Sequence, residues 1–161
     1  MLVATDSLNP SMGGPGVRPP LPGEVTVTLL KNQWPVTEDE QERDRRSIYL
    51  FTRRNLRYPL FDAFDRPDGN ASCARRHVST TAPQSLILLN SEFSLRMAEA
   101  LAARTTYSEE SSVETVWKIV LNRLPSEREM RLANSLLEEK GGELTDVCLA
   151  LFNTNEFVWL D

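Results

Sequence analysis

Residues 61–90 carry the side chains of this chain that are best suited to chemistry. Acidic residues, two adjacent arginines, the only histidine and a run of hydroxyl residues stand directly ahead of an apolar helical pattern. The candidate binding residues are Asp65, Asp68, Asn70, Arg75, Arg76, His77, Ser79, Thr80 and Thr81. Guanidinium groups, hydroxyls and the free N–H groups of a helix start can together bind a phosphate, sulfate or carboxylate. The segment therefore indicates a candidate anion site.

A structural role is the alternative for the same residues, and we favour it. Thr81 would then only cap its helix, and the two arginines would pair with neighbouring acids. These pairs would join Arg75 and Arg76 to Asp62, Asp65 or Asp68. Catalysis has less support, because no motif such as G-x-S-x-G surrounds His77 or Ser79. We assign no catalytic residue.

Metal and cofactor motifs are missing from the sequence. The oxygen-rich turn at 65–70 contains residue types that bind calcium, but it lacks the spacing of an EF-hand and is stiffened by Pro67. Cys73 and Cys148 lie far apart, outside any C-x-x-C or haem-attachment motif. We therefore predict no metal, no cofactor and two buried free thiols.

Charge and hydropathy limit the classes of partner. The net charge is −5 and the isoelectric point is about 5.0, which argues against nucleic-acid binding through a basic surface. No apolar run is long enough to cross a membrane. Residues 43–76 nevertheless hold nine arginines and no lysine against four acids. Arginine suits bidentate pairing with carboxylates or phosphates, so an anionic partner is compatible with this segment.

The second half of the chain has strong helix signals. Thr81, Ser111 and Ser126 each begin a capping-box pattern ahead of an apolar stripe. The patterns predict helices near 82–89, 91–103, 112–123, 127–140 and 143–153, with Trp117 in the central core. Because the connections are short, the predicted fold is mainly α, an antiparallel helical bundle with a loop-rich N-terminal third.

The first third is less regular. Residues 1–24 are rich in Pro, Gly and Ser, which predicts a loop or extended arm without regular secondary structure. Residues 25–30 alternate and are β-branched, so one short strand is included in the predicted fold. We expect residues 25–161 to form the C-terminal part of a single mainly helical domain that is truncated at its N-terminus, because residues 1–24 read like the middle of a loop.

A series of motifs resembles the planctomycete PSD-one family, a domain of unknown function numbered fifteen fifty-three. The motifs are Met12-Gly13-Gly14-Pro15, Arg45-Arg46-Ser47-Ile48-Tyr49, Arg53-Arg54-Asn55, Ala63-Phe64-Asp65-Arg66-Pro67-Asp68, Cys73, Arg75-Arg76, Ser79-Thr80-Thr81, Pro83-Gln84-Ser85-Leu86, Leu88-Leu89-Asn90, Leu124-Pro125-Ser126-Glu127 and Asn153-Thr154-Asn155-Glu156-Phe157. The resemblance covers nearly the whole chain. It implies the C-terminal portion of that domain, because family members continue well upstream of the Met-Gly-Gly-Pro motif.

The resemblance also implies a biological setting. Family parents are typically large exported proteins, often with a cytochrome-c-like domain and a second domain of unknown function ahead of this one. The chain itself begins without the basic and apolar regions of a signal peptide, so an exported or periplasmic location rests on the resemblance alone. We expect a structural or interaction module whose partner is the upstream portion of the parent. The alternative is part of an enzyme or ligand site for an anionic saccharide.

Overall fold

The computed structural model describes residues 1–30, 32–53, 56–67, 70–75, 78–106, 111–139 and 141–159, which belong to two compact units. The helical unit comprises Met1–Asp6 and Thr81–Asp161, and the arginine-rich unit comprises Ser7–Thr80. Among the described residues there is no β-strand, only three isolated β-bridges within the arginine-rich unit. The fold is therefore mainly helical, as predicted.

In the second half of the chain, short connections separate the helices. The arginine-rich unit contains α1 (Gly23–Thr26), α2 (Glu40–Arg43), a 3₁₀ turn (Ser47–Tyr49) and α3 (Pro59–Ala63). The helical unit contains α4 (Ala82–Asn90), α5 (Glu92–Thr105), α6 (Ser112–Leu121), α7 (Glu127–Glu138), α8 (Leu144–Phe152) and α9 (Asn155–Val158). The five predicted helices correspond to α4–α8, with ends within two residues of those predicted. They are confirmed.

The core of the helical unit lies around α8, which packs against α4, α5, α6, α7 and α9. Its fully buried side chains come from three helices: Met97 and Leu101 from α5, Val116 from α6, and Cys148 and Phe152 from α8. Removal of these apolar surfaces from water is the main force that holds the helices together. The helices form the predicted bundle around one continuous core.

Trp117 lies in this core and is only 6% exposed. The prediction from its position in the apolar stripe of α6 is confirmed. Its indole Nε1 is buried and has no hydrogen-bond partner within the described part of the chain. An unpaired buried N–H usually costs stability, so the contribution of Trp117 comes from its apolar ring.

Helix capping agrees with the sequence at two of three predicted starts. Gln84 accepts a hydrogen bond from the Thr81 N–H at 3.0 Å, and Glu129 accepts from the Ser126 N–H at 2.7 Å. The box predicted at Ser111 is wrong: Ser111 stands at the N-cap of α6, but among the described residues its side chain makes no capping bond. A fourth box, from Glu143 to Asp146 at the start of α8, lacks the usual Ser or Thr and went unpredicted.

The turns after α6 and α7 depend on unusual backbone positions. Asn122 ends α6 in the left-handed region, with φ of 54°, a conformation that Asn tolerates better than most residues. Gly141 has φ of 96°, and a Cβ atom at Gly142 would clash with the Leu136 carbonyl oxygen. Glycine at both positions after α7 therefore has a conformational and steric basis.

The first six residues pack onto the helical unit. Met1, Leu2 and Ala4 contact the core, and Thr5 is 7% exposed. The Arg104 Nη1 donates to the Ala4 carbonyl at 2.6 Å, which fixes this short segment beside α5. The division of the chain into an arm over 1–24 and a domain over 25–161 stays a prediction.

The predicted strand at 25–30 is wrong. Residues 23–26 form the short helix α1, and Thr26 and Thr28 donate their hydroxyl protons to the carbonyls of Gly23 and Val25 at 2.8 and 2.7 Å. A β-branched run becomes a strand only when a second strand can pair with it. In this segment, hydrogen bonds from the threonine hydroxyls to nearby carbonyls form instead of strand pairing.

Candidate functional site

Arg45 has an extensively bonded side chain among the described residues of the arginine-rich unit, and the sequence analysis named it only as part of a family motif. It is 4% exposed, and its Nη2 donates to the carbonyls of Ser11 at 2.8 Å and Gly13 at 2.6 Å. Its Nη1 lies 3.3 Å from a Glu42 carboxylate oxygen, and its guanidinium carbon lies 4.3 Å from the centre of the Tyr49 ring. Arg45 thus joins the Met-Gly-Gly-Pro segment to α2 and the 3₁₀ turn.

Neighbouring aromatic residues reinforce the same part of the unit. The Val17 N–H donates to the Tyr49 carbonyl, and the Phe51 N–H donates to the Val17 carbonyl at 2.8 Å. Trp34 packs edge-on against Phe51 and donates its Nε1–H to Pro19 at 2.8 Å. Trp34 therefore connects residues near Pro19 and Phe51 within this unit.

Asp65 and Ser79 are two predicted site residues that the structure brings into direct contact. Asp65 follows α3 with φ of 53°, a left-handed conformation that Asp can adopt. Its Oδ2 accepts hydrogen bonds from the Ser79 N–H and from the Ser79 hydroxyl, both at 2.6 Å. Two bonds to one carboxylate oxygen fix the chain between the turn after α3 and the segment ahead of α4.

The arginines do not all have the predicted partners. Asp62 binds Arg57, with 2.8 Å between Oδ1 and Nη1, a pair that the sequence analysis did not predict. Arg66 donates to the Thr52 hydroxyl at 2.5 Å and lies over the Phe61 ring at 5.9 Å. Arg75 is exposed, and within the described residues its guanidinium makes no ion pair.

A groove of about 500 Å³ lies between residues 65–67 and 71–75. We call it the Arg66–Arg75 groove. Asp65, Arg66 and Arg75 are its charged lining residues, and the exposed Cys73 lies beside them. The Cys73 thiol donates to the Arg75 carbonyl at 3.1 Å. The volume suits a small ligand, and the described lining residues include two arginines and one aspartate.

The remaining predicted residues are dispersed. Asn70 and Thr80 are exposed. Thr81 belongs to the helical unit, where it caps α4 as the structural alternative predicted. Asp68, Arg76 and His77 lie outside the described residues, so their predicted roles stay predictions. Among the described residues no cluster of three or more His, Cys, Asp or Glu could hold a metal ion.

The two cysteines differ in environment. Both are free thiols. Cys148 is fully buried in the core of the helical unit, and burial raises the pKa of its thiol to about 12. Cys73 is exposed, so the prediction of two buried thiols is right for Cys148 and wrong for Cys73.

A second polar cluster, also unpredicted, lies in the helical unit. We call Arg123, Glu129 and Glu156 the Arg123 cluster. The guanidinium binds Glu129 with bonds of 2.9 and 2.6 Å and Glu156 with bonds of 2.7 and 2.8 Å. The hydrogen bonds from Arg123 lower the pKa of both carboxyl groups and raise the pKa of Arg123. The cluster ties the turn after α6 to the starts of α7 and α9.

The observed features define a mainly helical domain whose polar motifs are largely engaged in holding loops together. No helix in the described part of the chain combines the length and apolar character needed to cross a bilayer. Residues 1–137 match the sequence profile of the PSD1 family, a protein of unknown function (DUF1553). The chain belongs to this family, as its motifs predicted.

The matched range ends within α7, so the Asn153–Phe157 motif lies beyond it. Neither a curated protein nor a solved structure matches the chain. The family and the fold are thus established, and the activity has to be argued from the site.

Proposed function

We propose that this chain is a structural or interaction module of a larger multi-domain cell-envelope protein, with the upstream portion of that parent as its partner. The observation that carries the proposal is the engagement of its family motifs. The Arg45 guanidinium donates hydrogen bonds to the carbonyls of Ser11 and Gly13, and a carboxylate oxygen of Asp65 accepts two hydrogen bonds from Ser79. Catalytic groups must instead be directed at a place where a substrate can bind.

Helix α4 supports the interaction part of the proposal. Leu88 is 6% exposed and packs inward, whereas Leu86 is 57% and Leu89 is 39% exposed. A helix that is apolar on its outer face as well as its inner face is typical of a surface that contacts another protein segment. The family resemblance indicates that segment: the portion of the parent that precedes this chain.

Hydrogen exchange on the parent protein and on this chain alone tests the proposal. We expect amides of α4 to exchange more slowly in the parent, because the upstream portion covers this helix. The Leu86→Glu variant should weaken that protection, while Leu132→Glu, at a comparably exposed position on α7, should not. Equal exchange of α4 in both proteins would contradict the proposal.

The alternative function is a ligand site for an anionic saccharide. The Arg66–Arg75 groove favours it, since two arginines are among the residues that line a cavity of about 500 Å³. Sulfate and carboxylate groups are the parts of such a saccharide that guanidinium recognises best. Titration of the chain with a sulfated disaccharide, with Arg75→Gln as the comparison, tests this function.

A further inference from the structure

We propose that the Arg66–Arg75 groove binds small anions that carry a sulfate or carboxylate group, with Cys73 beside the bound anion. This inference deepens the alternative function above and rests on the groove rather than on a helix N-terminus. Capping by Thr81 and Gln84 already engages the start of α4, so the groove is the place where cationic groups stay accessible.

The charge of the groove follows from its contacts. Its single described acid, Asp65, has one oxygen committed to the N–H and hydroxyl of Ser79. Arg66 is held in place by the Thr52 hydroxyl and the Phe61 ring, so one guanidinium is fixed before a ligand arrives.

Arg75 supplies the second cation. It is exposed and makes no ion pair within the residues that the structure describes, and its own carbonyl accepts the Cys73 thiol proton. Planar guanidinium groups bind sulfate and carboxylate oxygens bidentately. The ligand class is therefore a small oxyanion, free or carried on a larger molecule such as a saccharide.

Cys73 makes the groove testable without a known ligand. The chain has two cysteines, and Cys148 is buried in the core, so an alkylating reagent reports on Cys73 alone. The rates for anionic iodoacetate and neutral iodoacetamide are measured at Cys73 by peptide mass spectrometry on the full chain. Their ratio, compared with that of a neutral model thiol, measures the local attraction for anions.

We expect the ratio at Cys73 to exceed that of the model thiol by roughly threefold to tenfold at low salt. It should fall to the model value near ~1 M salt, where charges are screened over about 3 Å. Arg75→Gln should lower the ratio by roughly threefold. Arg46→Gln, which removes an exposed arginine outside the groove lining, should leave it unchanged.

Ligand probes complete the experiment. Inorganic sulfate should slow alkylation by iodoacetamide saturably, whereas chloride at equal ionic strength should not. If sulfate protects and a sulfated disaccharide protects no better, the groove stands and the saccharide function fails. A ratio equal to that of the model thiol at low salt, an equal loss in Arg46→Gln, or protection by chloride alone would overturn the inference.

Discussion

Replacement of Arg45 should destabilise the arginine-rich unit more than replacement of any exposed arginine. The side chain is 4% exposed and donates to two backbone carbonyls, Ser11 and Gly13. Arg45→Ala removes about two net hydrogen bonds and one cation–π contact, which together stabilise by roughly 2–4 kcal/mol. Solvent reaches residues 11–16, so water can replace part of the loss, and the lower half of this range is expected.

Two further variants isolate the cause. Arg45→Lys keeps the charge but loses the fork that reaches both carbonyls, so it should recover no more than about half of the lost stability. Arg46→Ala is the matched control: the neighbouring arginine is exposed, and surface substitutions of this kind usually change stability by less than about 0.5 kcal/mol.

The assay must report on this unit alone. Trp34 is the one tryptophan of the arginine-rich unit, while Trp117 and Trp159 belong to the helical unit. Fluorotryptophan labelling therefore gives a ¹⁹F resonance for Trp34 whose intensity can be followed through urea unfolding. An Arg45→Lys midpoint equal to that of the wild type would show that the fork geometry does not matter, and a comparable loss in Arg46→Ala would refute the assignment altogether.

Three further predictions concern the helical unit. Trp117→Ala should cost roughly 3–5 kcal/mol in urea unfolding, and Trp117→Phe should cost much less, because the buried indole N–H has no partner in the described part of the chain. The Arg123 cluster lowers the pKa of its two carboxyl groups, so its stabilising effect is fully present above pH 4.5, the ordinary value, and is lost as the pH falls toward the lowered pKa values. Arg123→Gln should therefore differ most from wild type in unfolding midpoint at pH 7, and the difference should shrink steadily as the pH falls below 4.5. Gly142→Ala should lower the melting temperature through the clash with Leu136, whereas alanine at Gly23, which has open space around it, should not.

The helices were predictable because their determinants are local. Thr81 with Gln84 and Ser126 with Glu129 mark helix starts within four residues of sequence, and the apolar stripes repeat at helical spacing. Ser111 shows the limit of this reasoning, since the same residue pattern occurs there without the capping bond. A pattern states which bond can form, and the packing of the surrounding chain decides whether it does.

The arginine-rich unit was less predictable because its determinants are distant in sequence. Arg45 reaches Ser11 across 34 positions and Gly13 across 32, and no periodic pattern records such a pairing. Glu42 and Tyr49, at helical spacing from Arg45, were the available signals. The predicted strand at 25–30 failed for a related reason, because its formation depends on a pairing partner elsewhere in the chain.

The candidate site was less predictable than the helices and more predictable than the rest of the arginine-rich unit. Its residue types were recognised, but the bonds from Ser79 to Asp65 were not predicted. Arg75 is exposed and makes no ion pair among the described residues. Asp68, Arg76 and His77 lie outside those residues, so the binding site itself stays a prediction.

Two arginine doublets, Arg45–Arg46 and Arg75–Arg76, invite a direct comparison of structural and binding roles. Arg45 is buried and fully bonded, so Arg45→Lys should lower the unfolding midpoint while leaving the iodoacetate-to-iodoacetamide ratio at Cys73 unchanged under folded conditions. Arg75 is exposed, so Arg75→Gln should lower the ratio while leaving the midpoint unchanged. If both variants shift both measurements, burial does not separate the two roles, and the groove owes its charge to the fold of the whole unit rather than to Arg75.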